Sequence, residues 1–256
     1  MSRGRRTPIE GSVVVVTGAN RGIGLGFVQE ALAAGATRVY AGVRDVDDLT
    51  PELAATDGVP VALDVTDRDQ VAEAARRCSD ATVLINNAGL HAGDRLVQAQ
   101  DPDAARREME VNYFGPLETT RAFAPVIAGN GGGAIVNVLS VAAIAPTAFM
   151  GGYSPSKAAA LYLGGIARAE LEPLDIGVTS LVVGSVDTRM AAHVDGQKED
   201  PRDVARTGLK AMARGDWTCD TDRMAVESRA RMALDPIRYE RGLSRLLFVD
   251  QLVTKP

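Results

Sequence analysis

Cysteine and histidine are both scarce in this chain of 256 residues, which contains two of each. Cys78 and Cys219 stand far apart in the sequence, so they indicate neither a disulfide framework nor a metal cluster. Two histidines provide few ligands for a zinc site. We therefore expect no bound metal, and we expect a reducing, cytoplasmic location.

Long apolar runs are absent as well. No stretch of about 18 apolar residues occurs, so the sequence predicts no membrane span. Residues 1–11 contain an arginine pair but no apolar segment with a cleavage site, and we interpret them as a solvated N-terminal tail. The net charge of −5 argues against a nucleic-acid partner.

What the chain does contain is a valine run followed by closely spaced glycines. Val13 to Val16 are four consecutive valines, which is typical of a strand buried on both faces. Gly18, Gly22 and Gly24 then allow a tight turn and a close approach of a ligand to the backbone. A helix that begins there directs unpaired N–H groups toward the turn. The stretch predicts a dinucleotide-binding turn, although a glycine-rich loop alone also fits an ordinary strand-to-helix connection.

Strand and helix patterns alternate after this turn. They predict an α/β fold, a single doubly wound parallel sheet (a Rossmann fold) with helices on both faces, as one domain over residues 1–256. Residues 185–215 are interpreted as a substrate loop region, and residues 216–256 as a C-terminal extension with a solvated helix face. The predicted strands are Val13–Thr17, Arg38–Val43, Val59–Leu63, Thr82–Ile85, Ala134–Leu139 and Val178–Val183. The predicted helices are Arg21–Ala34, Thr66–Cys78 with Thr66 at its start, one from Asp101 with a kink at Gly115–Pro116, Tyr153–Glu172 and Pro201–Arg214.

Tyr153 and Lys157 are four residues apart near the start of a predicted helix, so they share one face. A free tyrosine has a pKa of about 10 and is a slow proton donor or base at neutral pH. An ammonium roughly 4 Å away is worth on the order of 4 kcal/mol at an effective dielectric near 20, which would lower the pKa of the phenol. Taken alone, the pair also fits an unrelated surface tyrosine and lysine.

Two more polar residues stand where a site is expected. Ser140 follows a predicted strand at the sheet edge where open α/β folds bind ligands, and its hydroxyl could donate to a substrate oxygen. Asn112 lies inside a helical pattern, although asparagine is a poor helix former. Each alone is consistent with a capping or structural residue.

From Val13 to Thr188 these stretches together resemble the short-chain dehydrogenase/reductase family, and in particular its carbonyl reductases. The resemblance implies that Tyr153 is the general acid/base, that Lys157 lowers its pKa and binds the nicotinamide ribose, and that Ser140 donates to the carbonyl oxygen. It implies that Asn112 anchors a water relay toward Lys157. The implied cofactor contacts are Thr17, Gly18, Asn20, Arg21, Gly22, Ile23, Gly24, Arg44, Asp64, Val65, Asn87, Ala88, Gly89, Gly184, Val186 and Thr188, together with Tyr153 and Lys157.

The chain departs from the family pattern at two places. Val183 stands where the family usually has proline before glycine, which restores an N–H and loosens φ. The usual C-terminal DGG-type strand is also missing, so no seventh strand is predicted and Arg245–Thr254 is left unassigned.

The resemblance implies an NADP(H)-dependent oxidoreductase acting on a ketone or aldehyde, or on the matching secondary alcohol. The alternatives are a catalytically idle NADP(H)-binding regulatory protein and an epimerase or dehydratase variant. NADP(H) is favoured because Val43 stands where NAD-type members of the family carry an acid, with Arg44 next to it. Arg21 opposes the helix dipole, and a 2′-phosphate between Arg21 and Arg44 would offset that cost. Asp45 is expected to pair with Arg44 or to face water.

The segment Ala158–Ala167 carries no charge, although one face of a helix covering a sheet should meet water. We therefore expect a homodimer or homotetramer formed through this helix, unless the C-terminal segment of the same chain covers it. The expected substrate loops are Leu90–Leu96, Val141–Gly152 and Ser185–Gly196. Ile144, Phe149, Met150 and Met190 indicate an apolar pocket for a small-molecule substrate of unassigned identity, and His91 and His193 are interpreted as surface histidines.

Overall fold

A parallel sheet organises the chain, whose computed structural model describes residues 4–192 and 195–247. Over these residues the strands are β1 (Val13–Thr17), β2 (Arg38–Val43), β3 (Val59–Ala62), β4 (Val83–Asn86), β5 (Gly133–Val138), β6 (Ile176–Val182) and β7 (Thr218–Asp220). They form one seven-stranded sheet in the order β3-β2-β1-β4-β5-β6-β7. All neighbouring pairs are parallel, which confirms the predicted fold class.

Helices connect the strands. They are α1 (Gly22–Ala33), α2 (Pro51–Ala54), α3 (Arg68–Arg77), α4 (Ala104–Met109), α5 (Gly115–Gly129), α6 (Tyr153–Leu171), α7 (Pro201–Arg214), α8 (Arg223–Leu234) and α9 (Pro236–Leu246). A π-helical segment, Glu110–Phe114, joins α4 to α5. Short 3₁₀ turns occur at Val141–Ala143, Glu172–Leu174 and Arg189–Ala191.

The valine run of β1 is buried on both faces, as predicted. Val14 and Val16 belong to the apolar cluster that includes Phe27 of α1 and Met212 of α7. Val15 belongs to the opposite cluster, which includes Phe123 of α5. Side chains alternate between the faces of a strand, so a continuous apolar run serves two helical layers at once. The strand order reverses beside β1, and that reversal places a crevice at the carboxyl edge of the sheet.

Two helices begin or bend at residues other than those predicted. The N-cap of α3 is Asp67, whose carboxylate accepts from the backbone of Asp69 at 3.0 Å and of Gln70 at 3.1 Å, so the expected start at Thr66 is wrong. The irregularity expected at Gly115–Pro116 lies earlier, in the π-helical segment. Pro116 follows directly, in the first turn of α5, which continues from the π-helical segment without a break.

A seventh strand is present, which corrects the sequence analysis. Residues Thr218–Asp220 pair with β6, with Leu181 opposite Cys219, and Ser180 N donates to Trp217 O at 3.0 Å. Three residues are too few for an alternating pattern to be recognised. Pairing with a neighbouring strand, rather than local propensity, defines this element.

In the described part of the N-terminal segment, residues 4–9 pack against the rest of the fold, so the interpretation of a solvated tail is wrong there. Thr7 and Ile9 are buried, and Gly4 N donates to Gly215 O at 2.8 Å. Arg5 donates to Asp175 O at 2.9 Å. One apolar side chain in a polar stretch is a weak signal, and its burial depends on this tertiary contact. In the part of the chain that the structure describes, no helix is long and apolar enough to cross a membrane.

Candidate active site

The glycine-rich turn connects β1 to α1 as predicted. Gly18 has a φ of +63°, which side chains rarely adopt. A Cβ on Gly24 would lie 2.2 Å from Gly18 O and 2.5 Å from Asn87 Nδ2, so no side chain fits there. The turn therefore presses directly against the loop that follows β4. Ile23 lies in the first turn of α1 and packs against the core.

Thr17 and Asn87 join these two loops. Thr17 Oγ1 accepts from the backbone N–H groups of Asn87 at 2.9 Å and Ala88 at 3.0 Å. Asn87 Nδ2 donates to Thr17 O at 2.8 Å and to Gly18 O at 3.1 Å. Thr17 and Asn87 are both predicted to contact the cofactor, and their side chains hold together the two loops that border the crevice.

Arg44 follows β2 at one rim of the crevice, and Arg21 lies in the glycine-rich turn directly before α1. Ala19 N donates to Gly42 O at 2.9 Å, which places the glycine-rich turn beside the end of β2. Both arginines are exposed, and among residues 4–192 and 195–247 neither guanidinium makes an ion pair or a hydrogen bond. The carboxylate of Asp45 accepts from Asp47 N at 2.9 Å instead of pairing with Arg44.

Asn20 and Asp64 shape the same rim through local turns. Asn20 Nδ2 donates to Asp48 O at 2.8 Å, and its Oδ1 accepts from Thr50 N at 2.8 Å. Asp64 Oδ1 accepts from Thr66 N at 2.9 Å and from Thr66 Oγ1 at 2.7 Å. Val65, the next residue, is buried. These residues hold the loops after β2 and β3 around the position predicted for the adenosine.

Tyr153, Lys157 and Ser140 converge at the carboxyl ends of β5 and β6. Tyr153 and Lys157 lie in the first turns of α6 and are 9% and 5% exposed. Lys157 Nζ donates to Val138 O at 3.0 Å and lies 5.7 Å from the centre of the Tyr153 ring. Ser140 follows β5, and its side chain lies close enough to the phenol of Tyr153 to lower its pKa. The structure therefore brings together three of the four residues predicted to be catalytic.

Burial is the largest influence on the pKa values of Tyr153 and Lys157. Loss of hydration raises the pKa of Tyr153 to about 12, the hydrogen bond with Ser140 lowers it, and the charge of Glu108 raises it. Loss of hydration also lowers the pKa of Lys157 to about 8. The predicted lowering of the phenol pKa by Lys157 is not among these effects, of which burial is the largest for both groups.

Asn112, the fourth residue, lies in the π-helical segment and is 1% exposed. Its Oδ1 accepts from Leu90 N at 2.8 Å, and its Nδ2 donates to Leu90 O at 2.8 Å and to Ser156 Oγ at 2.9 Å. A Cβ on Gly89 would lie 3.4 Å from Asn112 Oδ1 and 3.5 Å from Lys157 Nζ. Asn112 thus reaches the same wall of the site as Lys157.

The loop after β6 closes the crevice opposite these residues. A Cβ on Gly22 would lie 3.1 Å from Thr188 Cγ2, and Val186 is buried. Gly184 N donates to Asp222 Oδ2 at 2.7 Å, and Asp222 Oδ1 caps α8 by accepting from Ala225 N at 2.9 Å. The C-terminal segment therefore supports the site, which the sequence analysis missed. An aspartate just before a helix was the available signal.

Two further residues were not predicted here. His91 packs edge-on against Tyr153, with ring centres 5.1 Å apart, so its interpretation as a surface histidine is wrong. Glu108 of α4 is a buried carboxylate, 2% exposed. The sequence of α4 is rich in charged residues and is typical of an exposed helix, so nothing local indicated that Glu108 is buried.

His193 and residues 248–254 lie outside the described residues. Among the described residues, no group of three or more His, Cys, Asp or Glu side chains could hold a metal ion.

Comparison with known proteins identifies relatives of this chain. A family model described as short chain dehydrogenase matches residues 12–199. The chain is 34% identical over 218 residues to the probable oxidoreductase EphD of Mycobacterium tuberculosis, which covers 78% of this chain and 36% of that protein. It is 34% identical over 210 residues to dehydrogenase/reductase SDR family member 7B of Bos taurus, which covers 75% of this chain and 64% of that protein. The chain thus spans only part of the length of these two relatives.

Among solved structures, a short chain dehydrogenase from Burkholderia cenocepacia J2315 in complex with NADP is 44% identical, with a TM-score of 0.87. The match covers 92% of this chain and 98% of that one. A short-chain dehydrogenase from Streptomyces avermitilis is 26% identical with a TM-score of 0.78, and the match covers 96% of this chain and 100% of that one. The family match, the parallel sheet and the site geometry agree, and this chain belongs to the short-chain dehydrogenase family.

Proposed function

We propose that the protein is an NADP(H)-dependent oxidoreductase that transfers a hydride between the nicotinamide and the carbonyl carbon of a ketone or aldehyde, or the matching secondary alcohol. The observation that carries the proposal is the convergence of Tyr153, Lys157, Ser140 and Asn112 beside the glycine-rich turn. A solvated tyrosine and an unrelated lysine would not be buried together at the carboxyl edge of the sheet.

The crevice fits a dinucleotide. Gly18, Gly22 and Gly24 leave a cradle that Cβ atoms would fill, and the unpaired N–H groups of the first turn of α1 face it, which suits a pyrophosphate. Lys157 and the loop from Gly184 to Thr188 would hold the nicotinamide end. Such a cofactor supplies or accepts the hydride.

Tyr153 would donate the proton to the carbonyl oxygen in this reaction, or accept it in the reverse direction. Its raised pKa keeps the phenol protonated at neutral pH, and this is the form that donates to a carbonyl oxygen during reduction. Ser140 would donate a second hydrogen bond to that oxygen as negative charge develops on it. Lys157 remains mostly charged at neutral pH and would stabilise that negative charge. These roles favour the carbonyl-reducing direction.

Arg21 and Arg44 support NADP(H) rather than NAD(H). Both are exposed, Arg44 directly after β2 and Arg21 in the glycine-rich turn, and β2 ends in Val43 without an acid for the ribose hydroxyls. Guanidinium groups bind phosphate through charge-assisted, bidentate bonds. The NADP-bound relative from Burkholderia cenocepacia points the same way.

The test is turnover of a panel of ketones, aldehydes and quinones with NADPH, followed by loss of NADPH absorbance. Tyr153→Phe is the matched control, because it removes one oxygen and little packing. We expect turnover of at least one compound by the unmutated protein, and loss of nearly all of it in the variant while NADPH binding remains. Equal activity of the two proteins would refute the role of Tyr153.

We also propose that α6 mediates self-association into a homodimer or homotetramer. Tyr162 and Ile166 are 75% and 58% exposed on this helix. In residues 195–247, the described part of the C-terminal region, nothing covers these two side chains. Large exposed apolar side chains on one uncharged helix face are typical of a protein interface.

A further inference from the structure

Glu108 is a buried carboxylate that the proposed reaction does not use. It lies on α4 and is 2% exposed, and burial raises its pKa. Its Oε1 accepts from Ala92 N at 2.7 Å. Burial of a charge with few partners costs free energy, so such groups are uncommon outside functional sites.

The second oxygen of this carboxylate lies against the start of α6. A Cβ on Gly152 would be 2.6 Å from Glu108 Oε2. Gly152 is the N-cap residue of α6, and no side chain caps the helix by a hydrogen bond there. The positive end of the helix dipole therefore meets a negative charge at the residue that precedes Tyr153.

The loop held by Glu108 carries His91. Ala92, whose N–H binds the carboxylate, follows His91 directly in the chain. The His91 ring lies edge-on to the Tyr153 ring at an interplanar angle of 61°. One carboxylate is thus connected to Tyr153 by two routes, through the loop and through the helix start.

The charged groups around this arrangement are few. The charge of Asp94, on the same loop, raises the pKa of Glu108, and that of Arg107, on α4, lowers it. Tyr153 is faced by Glu108, Ser140, the ring of His91 and, one turn along α6, Lys157.

We propose that Glu108 is a positioning residue for Tyr153: its buried carboxylate holds the His91 loop against the phenol ring and sets a fixed negative charge beside the start of α6. That charge opposes ionisation of the phenol and so favours the form that donates a proton to a carbonyl oxygen. This consequence rests on the proposed function, whereas the effect on the phenol itself does not.

The test compares Glu108→Gln with Glu110→Gln. The amide introduced by Glu108→Gln keeps an oxygen acceptor for Ala92 N and removes the charge. Glu110 is an exposed residue two positions away that controls for the same chemical change. The readout is the NMR titration of tyrosine labelled with ¹³C at Cζ, with the Tyr153 signal identified by its loss in Tyr153→Phe. This readout requires no substrate, so it remains valid if the proposed reaction is wrong.

We expect the pKa of Tyr153 to fall by about one unit in Glu108→Gln, the size typical of a lost nearby charge. The phenolate fraction at pH 11 would then rise from about one tenth to about one half. Glu110→Gln should titrate as the unmutated protein does. An unchanged Tyr153 titration in Glu108→Gln overturns the proposal.

Thermal unfolding of Glu108→Gln shows whether this variant folds and how stable it is. The pKa of Glu108 is raised in the folded state, so its charged form costs stability, and this cost appears as the pH rises through the folded pKa. Glu108→Gln should therefore be at least as stable as the unmutated protein at neutral pH. A variant that fails to fold would also overturn the proposal, because it would show that the carboxylate serves a structural role that a neutral amide cannot fill.

Discussion

At the scale of single residues, Lys157 lies in the proposed active site, where burial disfavours its charged form. Burial lowers its pKa to about 8, against 10.5 in the unfolded chain. The unfolded state therefore binds more protons between these two values, and stability rises with pH across that window. Below pH 8 the full cost of the buried charge is present.

Replacing Lys157 with methionine should therefore stabilise the protein while abolishing turnover. We expect a gain of roughly 1–2 kcal/mol at pH 7, after loss of the bond to Val138 O is subtracted. The gain should shrink as the pH rises through 8 toward 10.5, because the unmutated lysine then loses its proton. Urea denaturation at several pH values measures it, with the exposed Lys210→Met as control. A destabilised variant at pH 7 would contradict this account.

Arg44 gives a second prediction at this scale. Replacing Arg44 with alanine should remove at least one charged hydrogen bond to a 2′-phosphate, worth roughly 1.5–3 kcal/mol, from NADPH and little from NADH. The ratio of kcat/KM for the two cofactors measures this selectivity. Arg106→Ala, at an exposed arginine on α4, is the control and should leave the ratio unchanged. An NADH preference in the unmutated protein would refute the assignment.

At the scale of elements, the π-helical segment turns Asn112 toward the site. Replacing Asn112 with alanine leaves the N–H and C=O of Leu90 without their partner and should cost about 2–3 kcal/mol of stability. Turnover should fall as well, because the wall beside Lys157 loosens.

Asn130→Ala is the matched control for this prediction. Asn130 Nδ2 donates to Ser79 O at 2.9 Å and to Ala81 O at 3.0 Å, in a connection that belongs to no part of the proposed site. Both variants should unfold at lower urea concentrations, and only the Asn112 variant should lose hydride transfer beyond its loss of folded protein. Full activity of folded Asn112→Ala would show that this asparagine is structural alone.

Sequence patterns predicted the elements whose signals are local. The valine run, the glycine-rich turn and the start of α6 at Tyr153 all stand where periodicity and spacing place them. β7 and the burial of Ile9 were missed because each depends on a neighbour distant in the chain. Glu108 was missed for a related reason, since a glutamate beside two arginines predicts an exposed helix face.

At the scale of the whole molecule, the exposed face of α6 predicts assembly. Tyr162→Glu combined with Ile166→Glu would place two charges in an apolar contact, so we expect the double variant to sediment as a monomer. The unmutated protein should sediment as a dimer or tetramer at micromolar concentration. Leu234→Glu is the control, because this residue is 88% exposed on α8 and lies outside the proposed contact. A monomeric unmutated protein would contradict the proposal.

The bond between Gly184 and Asp222 links two segments 38 residues apart in the chain. The other oxygen of the same carboxylate caps α8, so one side chain couples the first turn of that helix to the loop after β6. Segments that open together exchange their amide hydrogens for deuterium together. Exchange at the start of α8 should therefore follow the opening rate of the loop, and a ligand that holds the loop closed would slow exchange far from its own contacts.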